Sequence, residues 1–213
     1  MREVDRRLRA AFGDPPPPET RDPLELLIRT ILSQNTSDRN RDAAYSALRR
    51  AFPTWEEVLR APAEKLAEAI KPAGLYRQRA ERIQEAVRRA TAAQGTPSLE
   101  FLRTLSEEEA ESWLLSLPGV GKKTAYIVLL FFLGRRRFPV DTHIQRVTRR
   151  LGLWNGRRDP HRALGPVVPE GREYALHLNL IHLGRTLCRP RNPRCGACPL
   201  LDLCPYGQDK EAQ

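Results

Sequence analysis

The chain has 213 residues, of which 40% are hydrophobic and 29% are charged, and its net charge is +10. This length and composition exclude a disordered or fibrous protein and suffice for one or two domains with a buried core. The longest apolar run, residues 125–133, is about half of the roughly 18 residues that a membrane-spanning helix needs, and no apolar signal segment follows Met1. We therefore expect a soluble, cytoplasmic protein that does not associate with membranes.

Helical signals follow one another through the first half of the chain. Residues 1–11 predict a short helix, which the prolines at 15–18 end because proline has no amide hydrogen to donate. A second helix is predicted to start at Pro23, and a third, capped by Ser37 or Asp38, to run toward Arg50. Capping boxes at Thr54–Glu57 and Ser106–Glu109 predict two further helix starts. Apolar residues recur at helical spacing over 63–70 and 77–93. No stretch alternates apolar and polar residues and no long period recurs, so the sequence predicts an all-α protein.

A glycine-rich turn separates two helical patterns after Leu117. Gly119 and Gly121 flank one small apolar residue, a pattern that permits a tight turn with little side-chain bulk. The next helix begins near Gly121, so its first amides and its positive dipole end can bind an anion such as a DNA phosphate. An ordinary connection between two helices would explain the glycines but not the paired Lys122 and Lys123. The segment therefore predicts a phosphate-binding hairpin.

Lys123 has a second interpretation, as a nucleophile. It stands beside Lys122 at the start of a helix, where the positive potential favours the neutral amine. A neutral amine is what attack on a carbonyl or on a sugar C1′ atom requires. A lysine in such a position is more often a phosphate contact, and the local sequence leaves both roles open.

The whole net charge lies in residues 135–194, which contain fourteen Arg, no Lys and four acidic residues, whereas the rest of the chain is neutral. A solvated arginine-rich surface is one explanation. A localised basic block more often indicates a phosphate-bearing partner, because arginine neutralises phosphates and releases their counterions. Charge alone does not distinguish DNA from RNA or from a membrane surface.

Asp141 follows Pro139 at the point where an extended segment ends and a helix is predicted to begin. Its simplest role is that of a helix N-cap. The functional alternative is a carboxylate that activates a nucleophile or stabilises positive charge on a sugar during cleavage of a glycosidic bond. One residue can fulfil both roles.

All four cysteines lie close together near the C-terminal end, at Cys188, Cys195, Cys198 and Cys204. In an intracellular protein, such a cluster indicates a metal site rather than disulfides. Four thiolates suit either tetrahedral zinc or an iron–sulfur cluster. Common zinc sites use two C-x2-C pairs and this chain has one, which favours a [4Fe–4S] cluster, with zinc as the alternative.

In this order, the hairpin, the aspartate and the cysteine spacing resemble the endonuclease III family of base-excision DNA glycosylases. That family belongs to the helix-hairpin-helix superfamily with a Gly/Pro-rich loop ending in Asp. The resemblance covers nearly the whole chain and includes residues 31–38 and 74–76. It implies a six-helix barrel domain with the helix-hairpin-helix at residues 22–133. It also implies an iron–sulfur cluster domain at 1–21 and 134–213, with a DNA-binding groove between the two lobes.

The resemblance also implies residue roles. Lys123 would attack C1′ of the damaged nucleoside and form a Schiff base, and Asp141 would assist that attack. Leu75, with Gln34 or Asn35, would fill the gap that the extruded nucleotide leaves. The cluster would be structural and would shape an arginine-rich loop. The implied DNA contacts are Gly119, Val120, Gly121, Lys122, Thr124, Gln34, Asn35, Leu75, His143, Arg189, Arg191 and Arg194, of which His143 has a structural role as an equal alternative.

The implied function is that of a bifunctional DNA glycosylase and AP lyase that removes oxidised pyrimidines of the thymine glycol type from duplex DNA. We expect a monomer that acts on damaged bases or abasic sites in a bacterial or archaeal nucleoid. The alternatives are a monofunctional or mismatch-directed glycosylase and a weakly active or non-catalytic DNA-binding paralogue. Lys123 argues against a mismatch-directed glycosylase. Adenine-mismatch relatives usually carry a further C-terminal domain, and we expect none after Gln213.

Two departures from the family pattern predict an altered damage preference or lower activity. Many members have Glu where this chain has Leu115, and residues 34–37 differ from the commoner Ala-Gln-Ala-Thr.

Overall fold

The computed structural model describes residues 1–18 and 22–212, and within these residues the protein has twelve α-helices and no strand. The helices are α1 (Arg2–Phe12), α2 (Pro23–Ser33), α3 (Asp38–Ala51), α4 (Trp55–Arg60), α5 (Ala63–Ala69), α6 (Tyr76–Gln94), α7 (Glu107–Ser116), α8 (Lys122–Phe131), α9 (Thr142–Arg150), α10 (Pro160–Leu164), α11 (Glu173–Thr186) and α12 (Pro205–Glu211). The all-α prediction is confirmed. Across the described ranges, no helix combines the length and apolar character needed to cross a membrane.

The helix starts follow the local sequence signals. The Asp22 carboxylate accepts a hydrogen bond from the Leu24 amide at 2.8 Å, and Pro23 is the first residue of α2. Ser37 caps α3 through the Asn40 amide, as predicted. The capping boxes at Thr54 and Ser106 are both formed. Each cap satisfies amides that a helix leaves unpaired at its N-terminus.

The chain separates into two compact units, one formed by Met1–Pro18 with Gly134–Gln213 and the other by Glu19–Leu133. We call them the cluster unit and the hairpin unit. The boundary predicted between residues 21 and 22 falls beside residues 19–21, which lie outside the described residues, as does residue 213.

The core of the hairpin unit is built around α8. Seven of the ten residues of α8 are buried, and α2 and α7 pack against it. A helix that is apolar around most of its circumference is stable only inside a core. Burial of residues such as Val128 and Leu129 therefore fixes the position of the helix start, where the predicted phosphate site lies.

The core of the cluster unit lies between α9, α11 and α1. The first two helices approach closely at Gly184, where a β-carbon would lie 2.9 Å from the His143 β-carbon. The small residue therefore allows the contact. Val4 and Leu8 of α1 are buried in the same core as Ile144 and Leu180.

Polar contacts also hold the N-terminal segment on α11. Arg172 bridges Asp5 and Asp14, and its hydrogen bond to Asp14 lowers the pKa of that carboxyl. The Tyr174 hydroxyl donates to the Pro16 carbonyl at 2.7 Å, and the Asn179 amide donates to Gly13 at 3.1 Å. The first 18 residues thus fold as part of the cluster unit.

Candidate active site and metal centre

The predicted hairpin between α7 and α8 is present. The Val120 amide donates to the Leu117 carbonyl at 3.1 Å, and Gly121 is the N-cap of α8. Gly119 has a φ of +77°, and a β-carbon there would lie 2.5 Å from the Arg82 side chain. The backbone conformation therefore favours glycine at position 119, and a larger residue would also displace the end of the Arg82 side chain.

The two lysines of the motif occupy the first turn of α8. Lys122 and Lys123 are half-buried, and Thr124 behind them is buried. The first amides of a helix have no partner within it and point outward along the axis, where the helix dipole is positive. This geometry suits an anion in front of the hairpin.

Gln34 and Asn35, the two candidates for filling the duplex, differ in their surroundings. The Gln34 side-chain amide donates to the Gly119 carbonyl at 2.9 Å and lies 3.4 Å from the Thr124 hydroxyl. Asn35 is exposed and has a φ of +50°. The contacts of Gln34 therefore join its turn to the hairpin, whereas Asn35 projects from that turn.

Leu75 is the most exposed large hydrophobic residue of the described chain, at 62% exposure, and it precedes α6 with a φ of +48°. A bulky residue with positive φ is uncommon and indicates a local constraint. Across residues 1–18 and 22–212, the non-glycine residues with positive φ are Asn35, Leu75 and Asn192. Each lies in a segment that the sequence predicts to contact DNA.

Asp141 caps α9 as its simplest interpretation predicts. Its Oδ1 atom accepts a hydrogen bond from the Ile144 amide at 2.8 Å. The extended segment before it is fixed by burial of Val140 and by a 2.9 Å contact between His177 Nδ1 and the Pro139 carbonyl. The carboxylate is half-buried, and its capping bond uses one of the two oxygens.

His143, a predicted DNA contact, lies in the first turn of α9. Its Nδ1 atom is 3.0 Å from the Arg146 guanidinium. This hydrogen bond supports the structural role that the sequence left as an alternative.

The four cysteines line one cavity, together with Arg150 and Tyr206. Burial raises the pKa of the Cys195, Cys198 and Cys204 thiols, and proximity to Cys188 raises the pKa of all three further. Thiols that raise one another's pKa become stable thiolates when a metal centre compensates their charge. The donor set and its single cavity therefore fit an iron–sulfur cluster.

Two arginines of α9, which the sequence did not predict as functional residues, contact the segment between Cys188 and Cys195. We call this segment the cysteine loop. Arg146 donates to the carbonyls of Cys188 at 2.9 Å and Gly184 at 2.7 Å. Arg150 donates to the Cys188 sulfur at 3.3 Å and to the Arg189 carbonyl at 2.8 Å, and it stacks over Tyr206. Their spacing of four residues on one helix face is the signal that could have identified them.

Arg189, Arg191 and Arg194 are exposed on this loop, as a role in phosphate binding requires. The sequence-predicted residues thus fall into two groups. Gln34, Asn35, Leu75 and the hairpin residues belong to the hairpin unit. Asp141, His143, the cysteines and the loop arginines belong to the cluster unit.

Comparison with known protein families agrees with this geometry. Residues 28–164 match the HhH-GPD superfamily of base excision DNA repair proteins, and residues 188–204 match the iron–sulfur binding domain of endonuclease III. The fold and the cysteine site therefore define a DNA glycosylase of base excision repair.

The chain is also similar to individual DNA glycosylases. The chain is 37% identical to endonuclease III of Thermotoga maritima over 188 residues, which are 87% of this chain and 84% of the relative. It is 31% identical to a thymine/uracil-DNA glycosylase of Methanothermobacter thermautotrophicus, over 88% of this chain and 83% of that protein. A trapped endonuclease III–DNA covalent intermediate superposes with a TM-score of 0.85 at 29% identity, covering 99% of this chain and 96% of that one.

The chain belongs to the endonuclease III family. Its cofactor is a [4Fe–4S] cluster, as the cysteine spacing predicts. Cys188, Cys195, Cys198 and Cys204 are the residues that would hold it. A cluster bound there would cross-link the C-terminal segments and stabilise the loop between Cys188 and Cys195.

Proposed function

We propose that the protein is a bifunctional DNA glycosylase and AP lyase that removes oxidised pyrimidines of the thymine glycol type. The observation that carries this proposal is the position of Lys123, in the first turn of α8 directly after the Gly119–Gly121 turn. A phosphate bound by the hairpin amides would hold the DNA backbone beside the amine. The resemblance to a family with a trapped covalent DNA intermediate supports an amine nucleophile.

In the proposed reaction, the lone pair of the Lys123 amine attacks C1′ of the damaged nucleoside. The bond between C1′ and the base breaks, and its electron pair leaves with the base, which takes up a proton. Loss of the amine proton and opening of the sugar give a Schiff base between Lys123 and C1′. Removal of a C2′ proton then expels the 3′ phosphate, and this β-elimination nicks the strand.

Asp141 is proposed to assist base departure. A carboxylate near C1′ stabilises the positive charge that develops on the sugar as the glycosidic bond breaks. The capping bond to Ile144 fixes the carboxylate at the start of α9 and leaves its other oxygen for this role. The same residue therefore serves the fold and the proposed chemistry.

Leu75 and the turn at Gln34 and Asn35 are proposed to occupy the space of the extruded nucleotide. The glycosidic bond of a paired base is inaccessible inside a duplex, so the nucleotide must leave the stack and its place must be filled. Exposed Leu75 offers an apolar side chain for this purpose, and exposed Asn35 offers a polar one. We expect the protein to act as a monomer on double-stranded DNA, with its site of action in the nucleoid.

A second candidate function is mismatch-directed removal of thymine or uracil without strand cleavage. The similarity to the thymine/uracil-DNA glycosylase of Methanothermobacter thermautotrophicus, 31% identical over 88% of this chain, supports this candidate. Lys123 favours the lyase, because a Schiff base with C1′ requires an amine nucleophile.

Borohydride trapping separates the candidates. Duplexes that carry thymine glycol, an abasic site or a thymine–guanine mismatch are incubated with the protein, and borohydride is added. The proposal predicts a covalent adduct with the first two duplexes, because borohydride reduces the Schiff base. Lys123→Ala abolishes this adduct. Lys122→Ala, one residue away at the same helix start, weakens binding but retains the adduct at saturating protein concentration.

Three outcomes contradict the proposal. Release of thymine from the mismatch without an adduct identifies a monofunctional enzyme. An adduct that persists in Lys123→Ala identifies a different nucleophile. Tight binding to all three duplexes with no base release and no adduct identifies a non-catalytic DNA-binding protein.

A further inference from the structure

Two turns of the hairpin unit share an unusual backbone. The first follows the C-terminus of α2, which ends at Ser33, and contains Asn35 with a φ of +50°. The second follows a short 3₁₀ turn, Lys71–Ala73, and contains Leu75 with a φ of +48°. In both, a residue proposed to enter the duplex adopts the left-handed conformation just after a helical segment ends.

The side chain of Arg79, from α6, lies between these two turns. It is 1% exposed, one of the largest fully buried side chains of the described residues. Its Nη1 atom donates to the Leu32 carbonyl at 3.2 Å and to the Ala73 carbonyl, and its Nη2 atom donates to the Gln34 carbonyl. One guanidinium thus contacts the backbone on the N-terminal side of both Asn35 and Leu75.

Burial of the Arg79 guanidinium costs free energy, which its hydrogen bonds must offset. Burial lowers the pKa of Arg79, because removing a cation from water disfavours its charged form. The acceptors partly offset that cost, since the last carbonyls of a helix have no partner within it and carry negative partial charge. Five donors in a rigid planar group can bind several carbonyls at fixed angles, which an ammonium group cannot.

We propose that Arg79 is a positioning residue that fixes the Asn35 turn and the Leu75 turn relative to each other. The two side chains then enter the duplex as one rigid element when the nucleotide is extruded. The first turn is also bonded to the hairpin through Gln34 and the Gly119 carbonyl. The element is thereby linked to the turn that precedes Lys123. This inference rests on the part of the proposed function in which Asn35 and Leu75 enter the DNA.

A fluorescent duplex tests the inference without requiring any reaction. A stable tetrahydrofuran abasic analogue is placed opposite 2-aminopurine, whose fluorescence rises when it loses its stacking neighbours. Saturating wild-type protein is expected to raise the fluorescence, because the inserted side chains disturb the opposite base. Arg79→Met removes the guanidinium but keeps an unbranched apolar side chain, and it is expected to lose most of the rise. Asn35→Ala with Leu75→Ala gives the reference for complete loss.

Two variants distinguish positioning from general destabilisation. Arg79→Lys keeps the charge but bonds fewer carbonyls, so it restores part of the rise. Arg88→Met removes an exposed arginine from the same helix and retains the full rise. For Arg79→Met, binding to undamaged duplex stays within about twofold of wild type, because phosphate contacts supply non-specific affinity.

A full fluorescence rise with Arg79→Met overturns the proposal. A loss that is matched by an equal loss of helicity or of undamaged-duplex binding also overturns it, because Arg79 would then serve the fold alone. If wild-type protein does not raise the fluorescence, neither turn enters the duplex, and the proposal is overturned as well. The lyase chemistry is judged separately: a normal rise without any borohydride adduct rejects the lyase and leaves the role of Arg79 standing.

Discussion

Asp141 joins structure and proposed chemistry in one side chain. Its Oδ1 atom caps α9 through the Ile144 amide, which holds the carboxylate at one place and orientation. A catalytic carboxylate must be positioned before the reaction, since reorganisation during the reaction would raise the barrier. The capping bond supplies that positioning at no further cost in free energy.

Replacing Asp141 with Asn separates the two roles. Asparagine caps helices about as well as aspartate but carries no charge. We expect Asp141→Asn to lower the single-turnover rate of base removal by about 100-fold or more, the range found for removal of a catalytic group, while affinity for the duplex and thermal stability stay near wild type. Asp141→Ala is the control, since it also removes the cap and should lower the melting temperature. An unchanged rate in Asp141→Asn would contradict the catalytic role.

Among the functional residues, those that belong to short motifs can be identified from the sequence. Lys123, Asp141 and the cysteines stand at fixed offsets from glycines, proline or one another, so their positions can be read from the chain. Arg79 has no such motif. It occupies a position on the apolar face of α6, near Ala80 and Ile83, where arginine is normally excluded. The carbonyls it binds come from residues up to 47 positions away, and no local pattern encodes them.

Among the helices, α9 connects the proposed catalytic carboxylate with the metal centre. Asp141 caps its N-terminus, and Arg150 at its C-terminus bonds the Cys188 sulfur and the carbonyls of Arg189 and Pro190. Arg150 also stacks over Tyr206, with the guanidinium 4.2 Å from the ring centre. One helix therefore positions a carboxylate at one end and the arginine-rich loop at the other.

Substitution of Arg150 tests this connection. Arg150→Met removes the hydrogen bonds to the loop, and we expect faster loss of the visible absorbance of the cluster in air and weaker binding to DNA. The measured quantities are the absorbance decay rate and the dissociation constant. Arg149→Met is the matched control, because Arg149 is adjacent and exposed. Equal absorbance decay rates and equal dissociation constants for the two variants would show that the loop does not depend on Arg150.

Several of the predicted helices carry local signals at their starts. The capping boxes at Thr54 and Ser106 and the cap at Ser37 predict helix starts that the structure has. The short helices α10 and α12, with five and seven residues, were not predicted from the sequence. Helices of this length are not stable alone, so a start signal such as Asp159 before Pro160 does not establish a helix without the packing around it.

For the whole molecule, the charge of residues 135–194 has more than one use. Arg136 pairs with Glu173, and Arg172 pairs with Asp5 and Asp14, so both serve the fold of the cluster unit. Arg150 holds the cysteine loop. These three of the fourteen arginines in this block are therefore engaged in contacts within the protein.

The salt dependence of DNA binding measures how many arginines contact phosphates. Each phosphate contact adds about 0.9 to the slope of log affinity against log salt concentration, because it releases counterions. If Arg189, Arg191 and Arg194 each meet one phosphate, replacing all three with Gln lowers the slope by roughly 2 to 3. The same substitutions at Arg2, Arg60 and Arg88 remove equal charge from exposed positions outside the basic block and should leave the slope nearly unchanged. Equal slopes for both triple variants would mean that the affinity comes from overall charge. A fall confined to the loop variant would locate the phosphate contacts at the cysteine loop.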